Sequence, residues 1–287
     1  MPDPEGMILF PSSTAALSTA IAALGTRAGD GPVRLLLGPM EHNAVWRPAV
    51  RLAGREGIAH LPADPLGRVD LGALEGFPSE GFAGVVLQHA SNVNGMVQPI
   101  AEVAAWCAAR GLPFIVDGAQ AGGLIPVALD RIPGLVAYTC AGHKYLGGPP
   151  GVGVAWLAPG FDPEPLWIGG NGVESERPSV PASGPARYEC GTQNLPGIAG
   201  LEAALHRFDE EPPALRWSRL RMVRAAWRER LAEIRGVELV GEGGESPRTP
   251  VISLGIAGRE PAEIAAHLEG RLGARCRAGL HCAPLAH

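Results

Sequence analysis

Apolar residues follow two rhythms along the chain. Short, nearly unbroken runs have strand length: V-R-L-L-L (33–37), G-V-V-L-Q (84–88), P-F-I-V-D (113–117), L-V-A-Y-T (135–139) and V-G-V-A-W-L (152–157). Longer stretches between them place apolar residues three and four apart, which predicts helices near 14–24, 42–55, 99–110 and 196–208. A strand buried on both faces reads as a continuous apolar run, and strands alternating with helices call for parallel crossovers. The predicted fold is α/β, with a mainly parallel, seven-stranded type of sheet flanked by helices. Ligands of such sheets gather at the carboxyl ends of the strands.

The rhythm changes near residue 209. D-E-E-P-P closes one unit, and a charged helix is predicted over roughly 213–235. A short strand (237–240), a Gly/Pro loop (241–250), a strand (251–254) and a helix (261–271) follow. The predicted organisation is a large domain over 1–208 and a small, incomplete α+β domain over 209–287. Residues 170–187 lack periodicity and read as a long loop, a length often tied to function.

Composition narrows the classes. A net charge of −5 with interspersed signs suits neither a nucleic-acid groove nor an anionic membrane surface. No apolar run reaches membrane-spanning length, and the start has no signal-peptide pattern. Five cysteines without C-x-x-C spacing point to a reducing compartment, expected to be the cytoplasm. Cys107 and Cys140 read as small core residues, and Cys276 as a residue buried in a strand. His281, Cys282 and His287 lack the fourth ligand and the spacing of a metal site, so no metal is expected.

Candidate chemistry sits just after the predicted strands. In G-H-K-Y-L-G-G-P-P-G-V-G (142–153), Lys144 lies in an apolar, glycine-rich setting. Burial there lowers an amine's pKa and makes it a Schiff-base candidate; a solvated surface charge is the plain alternative. Asp117 ends a strand in I-V-D-G-A-Q-A-G-G (115–123). It suits either a turn or the protonated ring nitrogen of pyridoxal phosphate, with Gln120 in reach of the ring oxygen. Asn92, in H-A-S-N-V-N-G (89–95), reads as an Asx-turn residue or a second ring contact. His42, in P-M-E-H-N-A-V-W-R-P (39–48), reads as a helix cap or a ring stacker. Ser13 and Thr14 open a helix, as an N-cap or a phosphate seat. Only a cofactor site accounts for all five at consecutive strand ends.

With Y-E-C-G-T-Q-N (188–194) and R-A-G-L-H-C-A-P (277–284) added, these motifs span nearly the whole chain. The chain resembles the class V aminotransferase family of fold-type I pyridoxal-phosphate enzymes, and most of all its cysteine desulfurase and selenocysteine lyase branch. The resemblance implies Lys144 as the lysine bonded to the cofactor, Asp117 on the pyridine nitrogen and His42 on the ring face. It implies Asn92 and Gln120 at the ring oxygen, and Ser13, Thr14 and His143 at the phosphate. Thr192 would reach the phosphate of a partner subunit in a homodimer. Cys282 would take up sulfur, with Arg277 and His281 beside the substrate. Two departures stand out. Ser12 replaces a usual glycine, and Ala141 replaces a hydroxyl that holds the phosphate in many relatives. The family's N-terminal start and its second carboxylate-binding arginine have no counterpart here.

The activity implied is removal of sulfur from L-cysteine, leaving alanine and a persulfide on Cys282, followed by passage to a sulfur-acceptor protein. Neither nucleic acid nor membrane is an expected partner. The alternatives are a selenocysteine lyase, another class V aminotransferase or lyase, and a catalytically impaired scaffold or part of a split enzyme.

Overall fold

A computed structural model describes residues 6–29, 31–173 and 175–286. Seven strands form the main sheet: β1 (Met7–Phe10), β2 (Leu35–Leu37), β3 (Ile58–His60), β4 (Gly84–Gln88), β5 (Phe114–Asp117), β6 (Leu135–Ala141) and β7 (Gly153–Leu157). Their spatial order is β1-β7-β6-β5-β4-β2-β3. Strands β3, β2, β4, β5 and β6 are mutually parallel, β7 is antiparallel to β6, and β1 is antiparallel to β7. Strand β1 therefore runs with the parallel set, and its carboxyl end opens on the same edge as theirs.

Side-chain alternation along the strands divides the core in two. Leu35, Leu37, Val86, Ile115 and Ala137 pack beneath helices α1 (Ser13–Ala23) and α2 (Asn43–Ala53), against Leu17, Ile21, Val45 and Ala49. Leu36, Val85, Leu87, Phe114 and Val116 face α3 (Leu71–Glu75) and α4 (Ile100–Ala108), against Leu74, Val103 and Cys107. Each such aliphatic side chain, fully buried, contributes about 1.5–3 kcal/mol. Burial on both faces is why these strands read as unbroken apolar runs. Helices α5 (Pro185–Tyr188), α6 (Leu195–Leu205) and α7 (Arg207–Glu210) complete this part of the chain.

The remainder holds α8 (Pro213–Ala232), an antiparallel pair β8 (Val237–Val240) and β9 (Ser253–Ile256), and α9 (Pro261–Leu272). Strand β9 lies two residues beyond the predicted 251–254. Its first predicted residues precede the strand, and Val251 O accepts from Arg224 Nε of α8 at 3.0 Å. Residues 247–253 form the seam to the main body. Val97 N donates to Pro247 O at 3.0 Å, Thr249 N donates to Gly95 O at 2.8 Å, and Ser253 Oγ donates to Val93 O. The seam carries the last stretch of the chain toward the carboxyl edge of the sheet.

Candidate active site

Five loops meet at that edge. After β1, Ser12 caps α1, its Oγ accepting from Ala15 N at 3.2 Å. Ser13 is buried beside it, hydroxyl to hydroxyl with Thr139 at 3.1 Å. Gly153 of β7 lets this turn come close, since a Cβ there would sit 2.2 Å from the Ser12 carbonyl carbon. The free N–H groups of α1 and three hydroxyls thus line one end of the edge, a setting suited to an anion. After β2, His42 caps α2, with Nδ1 accepting from Ala44 N at 3.0 Å. That bond makes Nδ1 an acceptor and leaves any proton on Nε2. The ring therefore serves the cap and still lines the site. After β4 comes Asn92, after β5 Asp117, and after β6 His143 and Lys144.

The turn carrying Lys144 is tightly framed. Lys144 N donates to Ala141 O at 3.2 Å, Gly147 N to Lys144 O at 3.0 Å, and Gly142 N to Val152 O at 2.9 Å. Asp117 is buried, with Oδ1 accepting from Ala119 N at 2.9 Å, so it has both a turn role and a place in the site. A cavity of about 230 Å³ joins these loops, lined by Ser13, Thr14, His42, Asn92, Asp117, Gln120, His143, Lys144 and Arg277 among others. Burial lowers the Lys144 amine; Asp117 opposes this, and Arg277 adds to it. Burial raises Asp117, partly offset by its bond from Ala119 and by the charges of Lys144 and His42. Burial likewise lowers His42. One carboxylate thus shares a partly desolvated space with the Lys144 amine and the Arg277 guanidinium, a charge balance that favours an anionic ligand.

The chain end comes to the mouth of this cavity. Arg277 lines it, and Arg277 Nη2 lies 3.6 Å from Cys282 Sγ. Asn92 Nδ2 donates to His281 O at 2.7 Å, and Asn43 N donates to Cys282 O at 2.7 Å. Cys282 is exposed, while Ala283 is fully buried and anchors the segment. His281 lines a second, larger cavity of about 570 Å³ that shares Asn92, Gln120 and Arg277 with the first.

Of the cofactor- and substrate-site residues expected from the sequence, all but Cys282 and Thr192 line these cavities. Cys282 stands beside them through Arg277, and Thr192 is exposed in a separate hollow with Trp167 and Gln193. Cys276 corrects its expectation. It is exposed in the irregular stretch after α9, because no third strand is present there to bury it. Among the described residues no three His, Cys, Asp or Glu side chains converge on a metal position, and His287 lies outside the described residues. Sequence reasoning missed Glu41. It is fully buried, Oε1 accepts from Gln88 N at 2.8 Å, and Oε2 has no partner. Its place directly before the cap residue His42 was the available signal.

The family model for aminotransferase class-V matches residues 2–287. The chain belongs to the class-V aminotransferase family. It is 32% identical, over 96% of its length, to a probable cysteine desulfurase of Xylella fastidiosa, and covers 65% of that protein. It is 28% identical to a probable cysteine desulfurase of Mycolicibacterium paratuberculosis, over 98% of its own length and 41% of that protein's. The chain thus spans between about two-fifths and two-thirds of these curated relatives. Among solved structures, the apo cysteine desulfurase of Thermococcus onnurineus superimposes with a TM-score of 0.85 at 26% identity, covering 98% of this chain and 71% of that one.

The class-V family depends on pyridoxal phosphate, and the residues present fit that group. The hydroxyl-lined helix start suits its phosphate, and buried Asp117 suits its basic ring nitrogen. Asn92 Oδ1, buried and without a protein partner, is the kind of orphan that a bound polar group satisfies.

Proposed function

We propose that this chain is a pyridoxal-phosphate-dependent cysteine desulfurase. The observation that carries the reading is the Arg277–Cys282 pair at the mouth of the cavity that holds Lys144 and Asp117. A carboxylate-binding cation, a nucleophilic thiol and a buried amine beside one cavity match the needs of a small amino acid bearing sulfur. Its net reaction with L-cysteine is balanced by one thiol. The Cys282 sulfur bonds to the substrate sulfur, the substrate's carbon–sulfur bond breaks, and the carbon takes a proton, giving alanine and a Cys282 persulfide.

Ser13, Thr14 and His143 would hold the cofactor phosphate, His42 the ring face, Asn92 and Gln120 the ring oxygen, and Asp117 the ring nitrogen. Bound pyridoxal phosphate supplies an electron sink for the substrate's α-carbon. Lys144, with its amine lowered by burial, serves as the base that takes the α-proton. Arg277 orients the substrate carboxylate and holds its guanidinium 3.6 Å from the Cys282 sulfur. Asp117 remains the site's anion, with Lys144 and His42 favouring its charged form.

A homodimer suits the exposed Thr192, which is available to a second copy's phosphate seat, and a sulfur-acceptor protein suits the exposed Cys282. The test is alanine production from L-cysteine with persulfide mapping by mass spectrometry. Cys282→Ser should end persulfide formation yet keep cofactor binding. Alanine and persulfide formation undiminished in that variant would overturn the reading.

A further inference from the structure

Resting on the reading of the cavity as a pyridoxal-phosphate site, we propose that Asn92 is a positioning residue. It ties the Cys282 loop to the cavity wall, so that filling the cavity tightens the loop. The loop needs holding. His281 and Cys282 are consecutive residues with positive φ, at 52° and 59°, and neither is glycine. Side-chain-bearing residues keep that conformation only where their surroundings determine it. Residues 271–280 before the pair are all exposed, and the chain is buried again at Ala283.

Bonds from the main body hold the strained pair. Asn92 Nδ2 donates to His281 O, and Asn43 N donates to Cys282 O, both at 2.7 Å. Asn43 is the first residue of α2, so its N–H has no acceptor within the helix and depends on the loop. The orientation of the Asn92 amide is fixed, because a carbonyl at 2.7 Å requires the NH2 there and turns Oδ1 away. That Oδ1 is buried without a protein partner. Asn92 lines both the cavity with Lys144 and Asp117 and the larger one with Arg277 and His281. Of the residues shared by the two cavities, Asn92 is the one whose amide is bonded to the His281 carbonyl. A ligand bonded to its Oδ1 or to its second N–H restrains the same group that grips His281. By reciprocity, a closed loop strengthens cofactor binding by the same factor.

The Asn43 amide reports on the latch by hydrogen exchange. In ligand-free protein, Asn92→Asp sets an acceptor against the His281 carbonyl and Asn92→Ala removes the bond. Either should speed Asn43 exchange about 5-fold to 10-fold, while amides of β4 and β5 keep their rates as the control for folding. Pyridoxal phosphate should slow Asn43 exchange in the wild type and leave it unchanged in both variants. Unchanged Asn43 exchange in the ligand-free variants, or equal slowing by the cofactor in all three proteins, would overturn the latch. A wild type that gives no absorbance band with the cofactor would refute the cofactor reading instead, while the ligand-free comparison still decides whether Asn92 holds the loop.

Discussion

Replacing Glu41 with glutamine removes an acid that has no solvent and no cation to compensate it. One carboxylate oxygen accepts from Gln88 N, the other has no partner, and the like-charged Asp117 adds to its destabilisation. Burial therefore pushes the Glu41 carboxyl well above its ordinary 4.5, with only the Gln88 bond opposing. Above pH 4.5 the unfolded chain releases this proton and the folded chain keeps it. The stability linked to Glu41 is fully present below that value and is lost as pH rises toward the folded-state pKa. The loss amounts to about 1.4 kcal/mol per pH unit within that window. Glutamine keeps an oxygen for the Gln88 N–H and cannot titrate. The stability difference between variant and wild type should therefore tilt toward Glu41→Gln by that slope. Asp117 titrates in both proteins and largely cancels. Urea unfolding followed by circular dichroism, in steps upward from about pH 5 at constant ionic strength, measures the tilt. Parallel stability curves for the two proteins would refute the reasoning.

Other perturbations test the site piece by piece. Gly153→Ala puts a methyl group 2.2 Å from the Ser12 carbonyl carbon, so it should cost about 1–3 kcal/mol in chemical denaturation and weaken cofactor affinity. Arg277→Gln removes the proposed carboxylate partner and should raise KM for L-cysteine about 10-fold to 100-fold in steady-state assays, with the cofactor still bound. Ala141→Ser adds a hydroxyl to a residue that lines the cavity and should tighten cofactor binding about 5-fold in an equilibrium titration.

The parallel strands were legible because burial on both faces writes a continuous apolar run, as in G-V-V-L-Q for β4. Strand β3 has only three residues, none of them buried, and β1 has four, so neither produced a decisive pattern. Their places come from register with β2 and β7, which a sequence does not display. Residues at strand ends, such as Asp117 and Lys144, were legible because an α/β sheet brings its carboxyl ends together. The contacts of Asn43 and Asn92 with the Cys282 loop join segments about 190 to 240 residues apart and left no local trace. Glu41 escaped notice because its burial is a property of the packed turn. Cys276, between Arg275 and Arg277, misled because its burial depended on a third strand that the fold does not form there.

An absorbance titration with pyridoxal phosphate, run on the wild type and on Lys144→Ala, tests most directly whether Lys144 anchors the cofactor in this cavity. The wild type should develop a saturable visible band distinct from the free cofactor, and borohydride should fix the cofactor to the peptide containing Lys144. In Lys144→Ala both signals should be absent. The same band and the same fixed adduct in Lys144→Ala, or neither signal in the wild type, would contradict the account.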